Sequence, residues 1–164
     1  MHIAVRTTSA EQTREVGEAL ASLLRTRDAV VLMGELGAGK TTFAQGVARG
    51  LGIEEQVSSP TFTLIKEYSG ILDLAHVDVY RLDKVQDVVD LGLEELGGGD
   101  DVLLVEWGDT IEELLPDERL RVELITDDAT GEDARAISIS ATGVGWGDRF
   151  AELEAAVLPW VVGG

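Results

Sequence analysis

The sequence predicts an α/β fold: one domain spanning residues 1–164, with a mixed parallel and antiparallel sheet flanked by helices. Three observations carry this reading. Residues 29–33 (Ala-Val-Val-Leu-Met) and 102–106 (Val-Leu-Leu-Val-Glu) are apolar runs of strand length, as expected of strands buried on both faces of a parallel sheet. Residues 120–126 and 134–141 instead alternate apolar with polar side chains, as antiparallel strands with one wet face do. Between the strands, apolar residues recur at helical spacing. With 164 residues and 45% apolar content, the chain is long enough for a substantial core.

Each element follows from local chemistry. Ser9 and Gln12 form a capping-box pattern, and Val16, Leu20, Leu23 and Leu24 follow at helical intervals, predicting a helix over 10–25. Polar residues 25–28 lead into the strand at 29–33. After a Gly-rich turn, Phe43, Val47 and Leu51 line one face of a helix over 42–51, with Gly50 and Gly52 as stop signals. Residues 61–68 and 72–80 are rich in β-branched and aromatic side chains and are separated by Ser69-Gly70, a hairpin pattern. Residues 83–96 read as a helix broken at Gly92 and closed by Gly97-Gly98-Gly99. The strand at 102–106 precedes a short helix that starts near Asp109 and closes at Pro116. Two alternating strands follow, then a last helix over 149–157 with Phe150, Leu153 and Val157 on one face. Trp146 and Trp160 fit packing or a partner contact.

The Gly-rich turn carries the chemistry. Residues 34–41 satisfy G-x-x-x-x-G-K-[ST], the phosphate-binding pattern, and they stand between strand and helix as a P-loop NTPase fold requires. Glycines allow successive backbone N–H groups to converge on a polyphosphate, and the helix N-terminus adds partial positive charge. The expected cradle is Gly34, Glu35, Leu36, Gly37, Ala38, Gly39, Lys40 and Thr41, with Thr42 following. Lys40 is expected to reach the β- and γ-phosphates, and the Thr41 hydroxyl to bind Mg²⁺.

Such a site also needs an acid at the end of a neighbouring strand. Glu106 is delivered by four apolar residues, and Asp78 ends the mostly apolar run 74–78. Either is a candidate for positioning Mg²⁺ or water. His76, taken alone, reads as structural. Trp107 either covers the nucleotide or belongs to the core. Residues 58–62 (Ser-Ser-Pro-Thr-Phe) suit a segment that orders around a γ-phosphate, or a capped turn into a strand.

Composition narrows the partners. The chain lacks Cys, which excludes disulfides and thiolate chemistry and fits a cytoplasmic protein. No apolar run is long enough to span a membrane, and the first residues lack the pattern of a secretory leader. The net charge is −18, and Lys40, Lys66 and Lys84 are the only lysines. Sequence-independent grip on nucleic acid needs many Lys and Arg contacts to phosphate, so the chain alone is a poor candidate for it.

Five segments resemble the TsaE (YjeE) family, the P-loop ATPases of bacterial tRNA threonylcarbamoyladenosine synthesis. They are Gly-Glu-Leu-Gly-Ala-Gly-Lys-Thr-Thr (34–42), Ser-Pro-Thr-Phe (59–62), His-Val-Asp-Val-Tyr-Arg-Leu (76–82), Asp-Leu-Gly-Leu-Glu-Glu (90–95) and Val-Glu-Trp-Gly-Asp (105–109). The resemblance runs in order from about Ser9 to Gly143. It implies an ATPase that uses ATP and Mg²⁺ and works with TsaD- and TsaB-type proteins, to which a chain with so few free bases is expected to leave the tRNA. The modified tRNAs read codons that begin with A.

By that resemblance Lys40 and Thr41 hold phosphate and Mg²⁺, Glu106 is the Mg²⁺-side acid, and Asp78 serves hydrolysis. Thr61 lies in the switch-like segment. Thr13, in Glu-x-Thr, falls where the family's first helix nears the base. The chain departs from the family where an Arg commonly follows a late Gly: Gly131 is followed by Glu132, and Arg135, the candidate for the nucleotide side, lies four residues past it. Two alternatives share the loop: a small-molecule kinase, and a switch in which nucleotide binding alone controls a partner.

Overall fold

The computed structural model describes residues 1–58, 65–79, 99–107 and 114–163. One seven-stranded sheet forms from β1 (His2–Thr7), β2 (Ala29–Met33), β3 (Ile65–Tyr68), β4 (Leu74–Asp78), β5 (Val102–Glu106), β6 (Arg119–Thr126) and β7 (Arg135–Thr142), in the spatial order β1-β7-β6-β2-β5-β4-β3. The centre is parallel, with β2 between β5 and β6 and β4 outside β5. The flanks are antiparallel, β3 on β4 at one side and β6-β7-β1 at the other. This is the expected mixed sheet. β6 serves both regimes, parallel to β2 and antiparallel to β7.

The strands β2, β4 and β5 are buried at every position, which is why they read as apolar runs. Alternate residues of β2 feed opposite faces of the sheet. Val30 and Leu32 join the larger core, while Ala29, Val31 and Met33 join a smaller one with Val77, Val105 and Leu115. β1 was not expected as a strand, although Ile3, Val5 and Thr7 alternate inward.

Helix α1 (Ala10–Ala21) starts at Ser9, whose Oγ accepts from the Gln12 N–H at 3.1 Å. Gln12 Oε1 in turn accepts from the Thr8 N–H at 2.8 Å, one residue earlier than a capping box would place it. The helix ends four residues short of the expected 25. The Ser22 hydroxyl bonds back to the Ala19 carbonyl, and Asp28 Oδ2 accepts from the Arg25 N–H, so side chains compete with continued helix.

α1 packs on α2 (Lys40–Gly50) at backbone distance. A Cβ on Gly46 would lie 2.0 Å from the Arg14 carbonyl oxygen, and one on Gly17 would lie 2.5 Å from that of Phe43. This crossing brings the start of α1 beside the start of α2, where the phosphate loop ends.

The last helix, α3 (Gly147–Ala156), buries Phe150 and Leu153 as expected, and also Arg149. Trp146, just before it, is fully buried, and Trp160 packs partly buried against the same core. Arg149 donates to Asp28 Oδ2 at 2.6 Å and Oδ1 at 3.1 Å, and to the Leu23 carbonyl at 3.0 Å, with its guanidinium 3.8 Å from the Trp146 ring. A buried two-pronged ion pair thus ties α3 to the approach to β2. The expected helices at 83–96 and 109–115 lie wholly or mostly outside the described residues. The start of the strand expected at 61–68 and the end of the one expected at 72–80 lie outside them too.

Candidate functional site

The loop between β2 and α2 adopts the backbone its glycines allow. Gly34, Gly37 and Gly39 have φ of 148°, 82° and 103°. At Gly34 a Cβ would also lie 2.6 Å from the Leu124 carbonyl oxygen on β6, so the loop leaves the sheet through a gap that only glycine passes. Gly39 caps α2 without a side-chain hydrogen bond, which leaves the first helical N–H groups as donors facing the loop.

A cavity of about 520 Å³ opens here, within the range of small-molecule sites. Its loop side is lined by Leu36, Gly37, Gly39, Lys40, Thr41 and Thr42. Asp78, Glu106 and Trp107 line the strand-end side, and Ala10, Thr13, Asp133 and Arg135 complete the wall. Of the remaining expected residues, Gly34 and Glu35 contribute backbone carbonyls, and Ala38 is buried within the loop. Thr61 lies outside the described residues.

Lys40 is the centre of the arrangement. Its Nζ donates to the carbonyls of Gly34 at 2.6 Å and Glu35 at 3.0 Å, and lies 4.3 Å from the centroid of the Trp107 ring. Burial lowers its pKa below the ordinary lysine value, against the opposing attraction of Glu106 and Asp78. Trp107 holds its place at φ 65°, a left-handed conformation uncommon for an aromatic residue, while its N–H donates to the Leu32 carbonyl at 2.9 Å. Trp107 packs on the smaller core, as one of the two readings of it expected, and it also lines the cavity.

The acids are set by strand register. Glu106 pairs with Leu32 on one side and with Asp78 on the other. Glu106 thus stands one strand from the loop-bearing β2, and Asp78 two, at about 4.8 Å per strand. His76, two residues before Asp78, projects to the same side of β4. Its Nε2 lies 2.8 Å from Glu106 Oε2, and both side chains are buried. Among the described residues no group of three or more His, Cys, Asp or Glu gathers into a cage for a metal. Thr41 and Glu106 fit the other way of holding Mg²⁺, in which one or two protein ligands act together with substrate phosphates.

Arg135 reaches the loop from the start of β7. Its Nε donates to the Ala38 carbonyl at 2.8 Å and Nη2 to that of Gly37 at 3.2 Å. Thr13 Oγ1 lies 2.8 Å from Thr7 Oγ1, a buried pair joining α1 to β1 beside the cavity. Ala10, Asp133 and the His76 partnership were not anticipated. The spacing of His76 and Asp78 puts both on one face of β4, but that His76 meets Glu106 follows only from the pairing of β4 with β5.

A glycine-lined turn joining a buried parallel strand to an uncapped helix, with an invading lysine and acids on adjacent strand ends, defines a P-loop protein of the α/β class. The family model of the threonylcarbamoyl adenosine biosynthesis protein TsaE matches residues 7–137. The chain is 47% identical to the tRNA threonylcarbamoyladenosine biosynthesis protein TsaE of Bacillus subtilis, over 84% of this chain and 85% of that one. It is 42% identical to the protein of that name from Streptomyces coelicolor, over 88% of this chain and 98% of the relative. A crystal structure of Bacillus subtilis YdiB superposes with a TM-score of 0.80 at 40% identity, covering 94% of this chain and 95% of the other. This chain belongs to the TsaE family.

Proposed function

We propose that the protein is an Mg²⁺-dependent ATPase acting in tRNA threonylcarbamoyladenosine synthesis. One observation carries the ATPase part: Lys40, Glu106 and Asp78 meet at a phosphate loop that opens on one cavity. The pathway part comes from the names borne by the relatives. In this reading water attacks the γ-phosphorus in line, the bond from that phosphorus to the bridging oxygen breaks, and ADP and inorganic phosphate leave. Lys40 and the loop amides offset charge on the β- and γ-phosphates. Thr41, and Glu106 directly or through water, would hold Mg²⁺, which when bound would supply neutralisation of the phosphate charge. Asp78, one strand farther out, orients the attacking water.

The partners in this proposal are TsaD- and TsaB-type proteins, and the site of action is the cytoplasm. No helix among the described residues is long and apolar enough to cross a membrane. At a net charge of −18 the chain should leave tRNA to those partners. The kinase alternative needs arginines gathered over the transferred phosphoryl group. Arg119 instead pairs with Ala29 at the end of β2 remote from the loop, and Arg135 is committed to loop carbonyls.

The test is ATP turnover by this chain alone, then with a TsaB–TsaD pair and tRNA. Stimulated turnover that Lys40→Ala and Asp78→Ala abolish is the expected result. Full turnover in either variant removes that residue from the mechanism. Many rounds of tRNA modification sustained by a non-hydrolysable analogue would replace the ATPase with the switch.

A further inference from the structure

We infer that His76 is a positioning residue for the Glu106 carboxylate, fixing which part of it faces a bound divalent cation. The inference rests on Glu106 being the Mg²⁺-side acid. His76 is fully buried in the middle of β4, opposite Leu104 of β5 and Lys66 of β3. Its Nε2 to Glu106 Oε2 distance is 2.8 Å. Its Nδ1 is buried and has no hydrogen-bond partner among the described residues.

Those two facts assign the proton. With the hydrogen on Nδ1, a buried N–H would be left unpaired and a bare Nε2 lone pair would face a carboxylate oxygen. With it on Nε2, the ring donates to Glu106 and leaves only a weaker burden, an unpaired acceptor. A purely structural residue at this place would be apolar, like the neighbours Leu74, Ala75 and Val77, and would leave nothing unsatisfied. The imidazole keeps one orphaned nitrogen in order to hold one carboxylate oxygen. This is the way residues behind a metal ligand orient it. Oε2 is committed to His76, and the rest of the carboxylate serves the cavity that Glu106 lines.

Amide variants separate this role from packing. In His76→Gln the side-chain N–H₂ would fall near the position of Nε2, whereas in His76→Asn it reaches only as far as Nδ1. The measurement is Mn²⁺ affinity of the full chain in complex with a non-hydrolysable ATP analogue, read from free Mn²⁺ by electron paramagnetic resonance. Glu106→Gln should weaken Mn²⁺ binding. His76→Asn should weaken it about 10- to 100-fold, with metal-free analogue affinity unchanged, and His76→Gln should stay within about threefold of the native protein. Native Mn²⁺ affinity in His76→Asn beside a weakened Glu106→Gln would overturn the role of His76 alone. Native affinity in Glu106→Gln would overturn the assignment of Glu106 and His76 with it. Should His76→Asn fail to fold, the ¹⁵N spectrum of the native imidazole decides. A proton on Nε2 supports the inference, and a bare Nε2 overturns it.

Discussion

Arg135 and Ala38 are 97 residues apart in sequence, yet the guanidinium Nε donates to the Ala38 carbonyl at 2.8 Å. A second bond to Gly37 makes the grip two-pronged, and Nη1 is anchored on the carbonyls of Glu132 and Ala134. The arginine therefore holds the shape of the loop from the cavity wall. Arg135→Ala should weaken nucleotide binding by roughly 1–2 kcal/mol, the scale of charged hydrogen bonds at a partly exposed site, with little change in global stability. Arg135→Lys should recover less than half, because an ammonium cannot serve both carbonyls in the fixed fork geometry. Titration calorimetry with an ATP analogue checks this, and native affinity in Arg135→Ala would refute it.

Lys40 gives the site a pH dependence of known sign. Burial holds its pKa below 10.5, against the pull of Glu106 and Asp78. Between that lowered value and 10.5 the unfolded chain binds more protons than the folded one, so the Lys40 contribution makes the free protein more stable as pH rises through this window. Lys40→Met should remove that rise from the urea midpoint. A bound triphosphate favours the ammonium, so nucleotide affinity should fall with pH over the same window and binding should take up a proton. Calorimetry in buffers of different ionisation heat measures the uptake, and its absence would sink the prediction.

The helix crossing is equally exposed to test. Gly46→Ala places a methyl 2.0 Å from the Arg14 carbonyl oxygen, so α1 or α2 must shift. The expected cost is about 1–3 kcal/mol in urea unfolding, with weaker nucleotide binding because Thr13 moves with α1. Gly131→Ala, whose methyl meets nothing within 4 Å, should change stability by less than about 0.5 kcal/mol.

The pair Arg149–Asp28 should matter for stability and not for the site. Arg149→Met strands a buried carboxylate and should cost about 3–5 kcal/mol. Asp28→Asn keeps an acceptor for the Arg25 N–H, so combining it with Arg149→Met should recover much of the loss. A double-mutant cycle in urea reads the coupling. Additive effects would show that the two side chains do not act as a unit.

The sequence made the centre of the fold plain and its edges obscure. β2 and β5 were expected at their observed bounds because each is an unbroken apolar run with a sharp end, at Gly34 after β2 and at Glu106 closing β5. β1 escaped notice because apolar Ala4 faces out and polar Thr7 faces in, which blurs a short alternation whose meaning comes only from pairing with β7. The end of α1 was overrun because Leu23 and Leu24 continue the apolar rhythm after the backbone has turned. At the site, Lys40, Asp78, Glu106 and the loop were legible from motif and strand-end position. Asp133, Ala10 and the bond between His76 and Glu106 depend on which strands lie side by side, which no local pattern encodes.

Trp107 carries a last consequence. An indole with a cation 4.3 Å from its ring centroid is a chromophore whose excited state feels that charge directly. If Lys40 leaves the Gly34 and Glu35 carbonyls for a phosphate, the emission of Trp107 should change in colour and yield, while Trp146, in the larger core, supplies a steady background. The protein therefore contains its own optical gauge of phosphate capture, readable without a label. Trp107→Phe should silence the signal, leaving a nucleotide titration spectroscopically flat.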